Sequence, residues 1–382
     1  MRPSVTIFGS TARATHWHGQ GQWLSSIRLA PLRDIARATG LASSGTRKEL
    51  IGRIGGALEE FYDRGTGQSF RDEGPLSILS IDMGIQNLAF AHLRVENAFD
   101  RDRVGSRPEV RAWRRLALSD ISSLSSDGGF VSAQTVILGG NEDASSAQAE
   151  EEKAVSTFSL PYYASAAYTL LTTLINKYKP THILIERQRF RSGGSSVVQE
   201  WTLRVGIFEA MLYSTLHTLQ QKDASISQIG VHGIEPKRVV QYWGVADSDF
   251  GSKLRGKDSE GGKKTKRPTA REVKKAKIEL VGRWLEADME RLESGEDVSA
   301  GRHHRILLPK DLPSSRLAAA YVEKLRNPGV RGRHLQEDAA QLGDVAKLDD
   351  LADCLLQGVT WIEWLRMRER IVRQGVEGLE VE

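Results

Sequence analysis

Apolar and polar residues fall into blocks along the chain, and the clearest block lies near residue 80. Ser77–Ile81 is a short run rich in apolar, β-branched residues that is typical of a buried strand, and Asp82 follows it directly. A second apolar run, Leu88–Ala91, begins after the turn-forming pair Gln86-Asn87. The pattern predicts a strand, a tight turn and a returning antiparallel strand. The Asp needs a metal, a basic partner or a cap, and a simple turn-capping role is an equally open interpretation.

Further hydrophobic patterns extend this unit into a large domain, which we place at residues 76–373. Insertions are expected near residues 96–156 and 288–341, and residues 374–382 form a tail. The predicted strands are Val110–Leu118, Thr181–Ile185 and Ile226–Val231, and the predicted helices are Leu160–Lys179, Val197–Gln220, Pro236–Trp243, Thr269–Glu286, Leu317–Leu325 and Lys347–Arg373.

Composition sets outer limits on the class of protein. The chain has 382 residues, a net charge of +4, 40% hydrophobic residues and one cysteine, Cys354. One cysteine excludes both an internal disulfide framework and a zinc site built from cysteines. No apolar run approaches the roughly 20 residues of a membrane span, so we expect no membrane partner.

The first 33 residues contain no Asp or Glu, but they contain several Arg, Ser and Thr residues. This composition resembles that of mitochondrial targeting segments, which we assign to residues 1–22. A disordered tail without a targeting role is the alternative. Mitochondrial localisation, in the matrix with the mitochondrial DNA, is the expectation.

Residues 23–63 have the pattern of a helix–turn–helix unit. The second helix begins with a capping box, in which Thr46 and Glu49 satisfy each other's backbone donors. The segment resembles a SAP module, a small DNA-binding helical domain, with Arg47, Lys48 and Arg53 placed to contact phosphates. A helical hairpin that only packs against the large domain is the alternative. Residues 64–75 are expected to be a linker.

Positive charge is concentrated at Ser252–Lys277, which holds eleven Lys or Arg residues. Runs of this kind are often solvated faces, but they also bind nucleic acid through phosphate contacts. The DNA-binding candidates in this segment are Lys263, Lys264, Lys266, Arg267, Lys274 and Lys275.

Carboxylates recur at the ends of predicted elements. Glu186 follows the strand Thr181–Ile185, and Asp349, Asp350 and Asp353 open the last helix. Asp353 shares a helix face with both Asp349 and Asp350, where like charges repel one another without a cation. An acidic first helical turn is common, but it does not explain Asp353 among apolar neighbours. Oxygen-only clusters suit Mg²⁺ or Mn²⁺, and two such ions can promote phosphodiester cleavage.

The residues after Glu186 combine charge with an aromatic ring. Basic side chains take phosphates and a ring stacks on an exposed base, so this segment suits nucleic acid. Packing of the ring into the core is the alternative. The candidates are Arg187, Gln188, Arg189, Phe190 and Arg191.

The order of these features resembles the RNase H-like nucleases, and more narrowly the fungal mitochondrial Holliday-junction resolvases, the cruciform-cutting endonucleases related to bacterial RuvC. The matching stretches are Ile81–Ala89, Ile185–Ser192 and Lys347–Asp353. The resemblance implies an α/β fold, an RNase H-like mixed β-sheet flanked by helices and preceded by the SAP-like module. It also implies a homodimer that cuts four-way DNA junctions symmetrically with divalent metal, with two Mg²⁺ or Mn²⁺ ions expected per site. The metal ligands and catalytic residues then carry over to Asp82, Glu186 and Asp353, with Asp349 or Asp350 as the fourth.

Two other functions stay open at this point. One is a catalytically idle relative that binds structured RNA in intron splicing, against which the full set of acidic residues argues. The other is a different RNase H-like nuclease, against which the SAP-like module and the Arg-Gln-Arg-Phe-Arg segment argue.

Overall fold

The computed structural model contains a five-stranded mixed sheet, within the residues it describes, with helices on both faces. The predicted targeting segment lies almost wholly outside these residues, as do parts of the linker and of both predicted insertions. The described residues are 22–64, 74–96, 98, 107–121, 159–188, 200–245, 268–295, 304–310, 312–327 and 347–375.

The sheet has the strand order β3-β2-β1-β4-β5. β2 pairs antiparallel with both β1 and β3, whereas β4 lies parallel to β1 and β5 parallel to β4. A parallel neighbour requires a crossover connection, which a long helix supplies between β1–β3 and β4. The strands are β1 (Leu76–Asp82), β2 (Leu88–Val95), β3 (Glu109–Leu116), β4 (His182–Glu186) and β5 (Gly230–Ile234).

Helices pack on both faces of the sheet, and two more form the amino-terminal unit ahead of it. None of those in the described part of the chain is long and apolar enough to cross a membrane. They are α1 (Leu29–Ala38), α2 (Arg47–Arg64), α3 (Leu160–Tyr178), α4 (Glu200–Lys222), the single turn α5 (Ala224–Ser227), α6 (Pro236–Tyr242), α7 (Ala270–Ser294), α8 (Pro313–Arg326) and α9 (Leu348–Gln374).

Alternation along β1 separates the core into two layers. Ile78 faces the layer that contains α7 and α9, whereas Leu79 and Ile81 face the layer that contains α3 and α4. Side chains two residues apart point to the same face of a strand, so Ser80 and Asp82 share the face of Ile78. The predicted mixed α/β sheet with flanking helices is confirmed.

Helix α9 is buried along most of its length. The sequence leaves the dimer surface open, and this tryptophan-rich helix and the helix after Glu186 are both candidates. Trp361 and Trp364 are 6% and 3% exposed and pack inside this chain. The tryptophan-rich stretch therefore belongs to the core, and as a dimer surface this candidate is wrong.

The helix–turn–helix unit forms as predicted by its local signals. Thr46 and Glu49 make the capping box, with the Glu49 carboxylate accepting from the Thr46 backbone N–H at 2.7 Å. Gly40, at φ +75°, ends α1, and the Leu41 N–H donates to the Ala36 carbonyl at 2.7 Å. This is a Schellman ending, in which a left-handed glycine lets the chain turn back.

This unit is docked on the carboxyl-terminal half of α9. Leu32 and Leu50 share an apolar cluster with Met367 and Ile371 of that helix. The Arg368 guanidinium donates to the Thr39 carbonyl at 2.9 and 3.0 Å. The unit is therefore packed against the large domain. Its DNA-binding role stays a prediction.

One predicted element is wrong. Ile226–Val231 was expected to be a strand, but Ala224–Ser227 is a helical turn and β5 occupies Gly230–Ile234. The Asp223 carboxylate accepts from the Ser225 N–H at 2.8 Å and caps that turn. Local side-chain capping therefore outweighs the β-propensity of the isoleucine.

Gly40→Ala is expected to destabilise the protein by about 1–3 kcal/mol. An added Cβ would lie 2.3 Å from the Trp364 ring, at a φ that disfavours side chains. Gly52→Ala is the matched control, because an added Cβ there meets nothing within 4 Å in the middle of α2. It should leave stability unchanged or raise it by up to about 1 kcal/mol. Chemical denaturation measures both, and equal effects would contradict the docking described here.

Candidate active site

Two carboxylates meet at the carboxyl ends of the parallel strands β1 and β4. The last paired residues are Ile81 and Ile185, so Asp82 and Glu186 stand one position further on adjacent strands. Asp82 is 9% exposed, and its side chain is hydrogen-bonded to that of Glu186. Two carboxyl oxygens can share a hydrogen bond only if one group carries a proton.

Helix α9 brings the third carboxylate over the strand ends. It crosses the sheet beside β1 and β2, with its first turns above Asp82. The negative charge of Asp353 acts on Asp82, and so does that of Asp350. Three of the predicted site elements, two strand ends and one helix start, are therefore together in space.

Burial and like charge both disfavour ionisation in this cluster. The pKa of Asp82 is raised well above its ordinary value, first by burial and then by the charge of Glu186. Burial also raises the pKa of Asp353 to about 6, although Lys277 opposes the rise. The pKa of Asp350 is raised by burial and by the charge of Asp349, although the charges of Lys347 and Arg115 offset part of the rise. The cluster holds more negative charge than its surroundings neutralise.

Lys277 places a positive charge within this cluster. Its ammonium lies 2.5 Å from the Asp353 carboxylate, and its side chain is 16% exposed. The charges of Asp353, Glu186 and Asp82 raise the pKa of Lys277 against the effect of burial, which lowers it. The local sequence predicts no role for this residue. The available signal was a lysine between Ala276 and Ile278 on the apolar side of its helix.

The two candidates for the fourth ligand have different surroundings. Asp349 is paired with Lys274 at 2.5 Å, and that lysine is 52% exposed. Asp350 is paired with the partly buried Arg115 at 3.3 Å, and Arg115 also donates to the Asn87 side chain. Asp350 acts electrostatically on Asp82, so it belongs to the same charge cluster.

The donor set fits a divalent cation, because it consists of carboxylate oxygens that Mg²⁺ and Mn²⁺ prefer. Among the described residues, no three His, Cys, Asp or Glu side chains are grouped as a preformed metal site. In this structure Asp82 is bonded to Glu186, and Asp353 is bonded to Lys277. Release of these two pairings would free the oxygens that a cation requires.

The segment after Glu186 is described only at its start. Arg187 is exposed, and its backbone N–H donates to the Ile234 carbonyl at 2.8 Å. The Gln188 N–H donates to the Glu209 carboxylate at 3.1 Å. Arg189, Phe190 and Arg191 lie outside the described residues.

The other basic candidates divide into three groups. Lys263, Lys264, Lys266 and Arg267 lie outside the described residues, whereas Lys274 and Lys275 are exposed at the start of α7. In the helix–turn–helix unit Lys48 is exposed, but Arg47 donates to the carbonyls of Ser25 and Ile27, and Arg53 to those of Ala42 and Ser44. These two arginines therefore stabilise the unit. Phosphate binding by any of these residues stays a prediction.

Comparison with known proteins gives one family and several relatives. A family model described as mitochondrial resolvase Ydc2 and RNA splicing MRS1 matches residues 78–371. The chain is 27% identical over 224 residues to the mitochondrial cruciform cutting endonuclease 1 of Schizosaccharomyces pombe, covering 58% of this chain and 68% of the relative. It is 25% identical over 335 residues to the protein of the same name from Saccharomyces cerevisiae, covering 86% and 80%.

Solved structures give a weaker likeness. The crystal structure of the yeast mitochondrial Holliday junction resolvase Ydc2 aligns over 88% of this chain and 93% of its own, with 22% identity and a TM-score of 0.45. The RuvC structure from Thermus thermophilus aligns over 50% of this chain and 86% of its own, with 12% identity and a TM-score of 0.25.

Asp82→Asn is expected to stabilise the metal-free protein, by on the order of 1 kcal/mol at pH 8. The amide is neutral and can still donate to Glu186. A carboxyl with a raised pKa binds more protons in the folded than in the unfolded state, so wild-type stability falls as the pH rises above the unfolded value. The advantage of Asn, which does not titrate, should therefore grow from pH 5 to pH 8.

Thermal unfolding in chelator across this pH range measures the difference. Asp349→Asn is the comparison variant: the Asp349 carboxylate is paired with Lys274 at 2.5 Å, so its removal should give a smaller gain than removal of the Asp82 carboxylate. An Asp82→Asn variant that is less stable than wild type at pH 8 would contradict the charge cluster.

Proposed function

Because this chain belongs to the family described as mitochondrial resolvase Ydc2 and RNA splicing MRS1, we propose that it is an endonuclease that resolves four-way DNA junctions in mitochondria. The observation that carries the proposal is the cluster of Asp82, Glu186 and Asp353, in which Asp82 is buried. Clustered carboxylates with restricted access to solvent cost stability, and such costs are tolerated where function requires them. Both curated relatives reported above carry the name of a mitochondrial cruciform cutting endonuclease.

Asp82, Glu186, Asp353 and Asp350 are the residues we propose to hold divalent metal. Asp350 is preferred over Asp349 because its charge acts on Asp82, whereas Asp349 is paired with the exposed Lys274 at 2.5 Å. When bound, Mg²⁺ or Mn²⁺ would supply an activated water and stabilise the leaving oxygen. Arg115 is paired with the Asp350 carboxylate at 3.3 Å and would keep it oriented.

Lys277 would do two things in this site. In the metal-free protein its ammonium neutralises Asp353 within hydrogen-bond distance. A phosphate group entering the cluster brings further negative charge, and an ammonium a few ångströms away attracts it. Lys277 therefore keeps the acidic cluster compatible with binding of a polyanion.

Exposed cations near the site would bind the arms of the junction. Arg187 lies one residue beyond Glu186, and Lys274 and Lys275 lie on the helix that carries Lys277. Such contacts recognise the phosphate backbone without regard to sequence. Selection of a branched substrate would then come from the spacing of two sites.

A dimer would supply that spacing. Resolution of a four-way junction requires incisions in two opposed strands, and a two-fold dimer matches the symmetry of the junction. Large apolar side chains are exposed on α3 and α4, on the face of the sheet opposite to α9. They are Leu160, Tyr168, Trp201 and Leu203, with 42–57% exposure. We propose that a second copy of the chain covers this surface.

RNA splicing is the second candidate, because the family description includes it. A splicing cofactor needs to bind structured RNA but has no need of an acidic cluster. The presence of Asp82, Glu186 and Asp353 in one cluster, where their negative charges repel one another, favours the nuclease.

We expect wild type to cut a four-way junction in Mg²⁺ and to leave a linear duplex and an RNA–DNA hybrid intact. Asp82→Asn and Asp350→Asn should each slow cutting by about 10³-fold, because a metal site contributes several kcal/mol. Asp349→Asn should stay within about tenfold of wild type. Labelled substrates measure the rates, and gel shifts in Ca²⁺ check that junction binding survives.

The outcomes separate the candidates. Loss of cutting in Asp349→Asn with retention in Asp350→Asn would reverse the choice of the fourth ligand. A wild type that binds structured RNA and cuts none of the substrates would favour the splicing function. Cutting of the hybrid alone would indicate another RNase H-like nuclease.

A further inference from the structure

Two polar side chains are buried where α9 crosses β1. Ser80 of β1 is fully buried and Gln357 of α9 is 3% exposed. Their neighbours on the same face are apolar, including Ile78, Leu184 and Leu355. Polar groups in such surroundings cost free energy unless they are hydrogen-bonded.

The two side chains bond to each other and to the backbone of the opposite element. The Ser80 hydroxyl donates to the Cys354 carbonyl at 2.7 Å. The Gln357 amide donates to the Ser80 hydroxyl at 3.1 Å and to the Ile81 carbonyl at 3.2 Å. These contacts form a hydrogen-bonded link between strand and helix, which we call the Ser80–Gln357 link.

A glycine allows this close approach. A Cβ added to Gly358 would lie 2.7 Å from Leu93 and 3.3 Å from the Ser80 Cβ. A side chain at this position would displace the end of the Leu93 side chain and crowd the Ser80 Cβ, so glycine favours the close approach of α9 to β1 and β2. The link is therefore a feature of close contact between helix and strand.

The link sits directly behind the acidic cluster. Ser80 precedes Asp82 by two residues on the same face of β1, and the Ile81 carbonyl is adjacent to Asp82. Gln357 follows Asp353 by four residues, one turn along α9. Each hydrogen bond thus ties the strand that carries one carboxylate to the helix that carries another.

We infer that Ser80 and Gln357 are positioning residues for the metal-binding carboxylates. They set the distance and rotation of α9 relative to β1, and so they hold Asp353 and Asp350 opposite Asp82 and Glu186. This inference rests on the proposed function, in which these carboxylates hold divalent metal. The residues themselves do not touch metal or DNA.

If the Ser80–Gln357 link served only to stabilise the fold, its removal would have a different effect on metal binding. Replacement of both partners of a buried hydrogen bond by apolar groups of similar shape is often nearly neutral for stability. The double variant Ser80→Ala/Gln357→Leu removes both partners of the side-chain hydrogen bond, but it also takes a donor from the Cys354 and Ile81 carbonyls, so a moderate loss of melting temperature is expected. If the link only stabilised the fold, metal binding in this variant would be unchanged.

The experiment measures Mn²⁺ binding without DNA, by calorimetry, together with the melting temperature. The variants are Ser80→Ala, Gln357→Leu and the double variant. Thr360→Val is the matched control, because it removes a buried hydrogen bond of α9, from Trp243 at 2.7 Å, that does not involve β1. We expect the double variant to bind Mn²⁺ about 10- to 100-fold more weakly, the range for groups that orient metal ligands. The control should bind Mn²⁺ with the affinity of wild type, even if its melting temperature is lower.

Two further comparisons distinguish failure of this inference from failure of the proposed function. Ser80→Ala alone removes only one hydroxyl, so it tests the inference if the double variant is poorly folded, and it should weaken Mn²⁺ binding by at least a few-fold. Equal Mn²⁺ affinity in wild type and all link variants would overturn the inference while leaving the proposed function intact. Failure of wild type to bind Mn²⁺ and to cut junctions would overturn the proposed function, and the inference with it.

Discussion

The carboxyl group of Asp82 is buried between the sheet and α9, hydrogen-bonded to Glu186 and within the field of Asp353 and Asp350. Like charges in low-dielectric surroundings repel strongly, so they stay together only if the packing around them prevents their separation. The parallel pairing of β1 with β4 and the crossing of α9 impose that arrangement. Lys277 and Arg115 offset part of the cost from either side.

Helix α9 connects the acidic cluster with the rest of the molecule. Its first turns carry Asp350 and Asp353, its middle is tied to β1 through Gln357, and its last turns carry Met367 and Ile371 under the helix–turn–helix unit. A helix rises 1.5 Å per residue, so the cluster and the docked unit are separated by about 20 Å along one rigid element. The orientation of that unit relative to the proposed cutting site is thereby set by packing within one chain.

Much of this arrangement is predictable from the sequence, because it rests on local patterns. The apolar run before Asp82, the strand before Glu186 and the long helix from residue 348 each have a clear period and clear ends. Lys277 and Arg115 are different, since their partners Asp353 and Asp350 lie 76 and 235 residues away in the chain. A lysine or glutamine within an apolar helix face indicates that a polar partner lies opposite. The local pattern does not show which residue that partner is.

Junction resolution, as we propose it, needs an acidic cluster that cuts DNA and a dimer that presents two such clusters to one junction. A mixed dimer of wild-type and Asp82→Asn chains, assayed on a supercoiled plasmid that extrudes a cruciform, tests both at once. Two cuts in one encounter produce a linear plasmid, whereas one cut produces a nicked circle. The account predicts that the mixed dimer yields nicked circles and that wild type yields linear product. Linear product from the mixed dimer at the wild-type rate, or a monomer in sedimentation both with and without DNA, would contradict it.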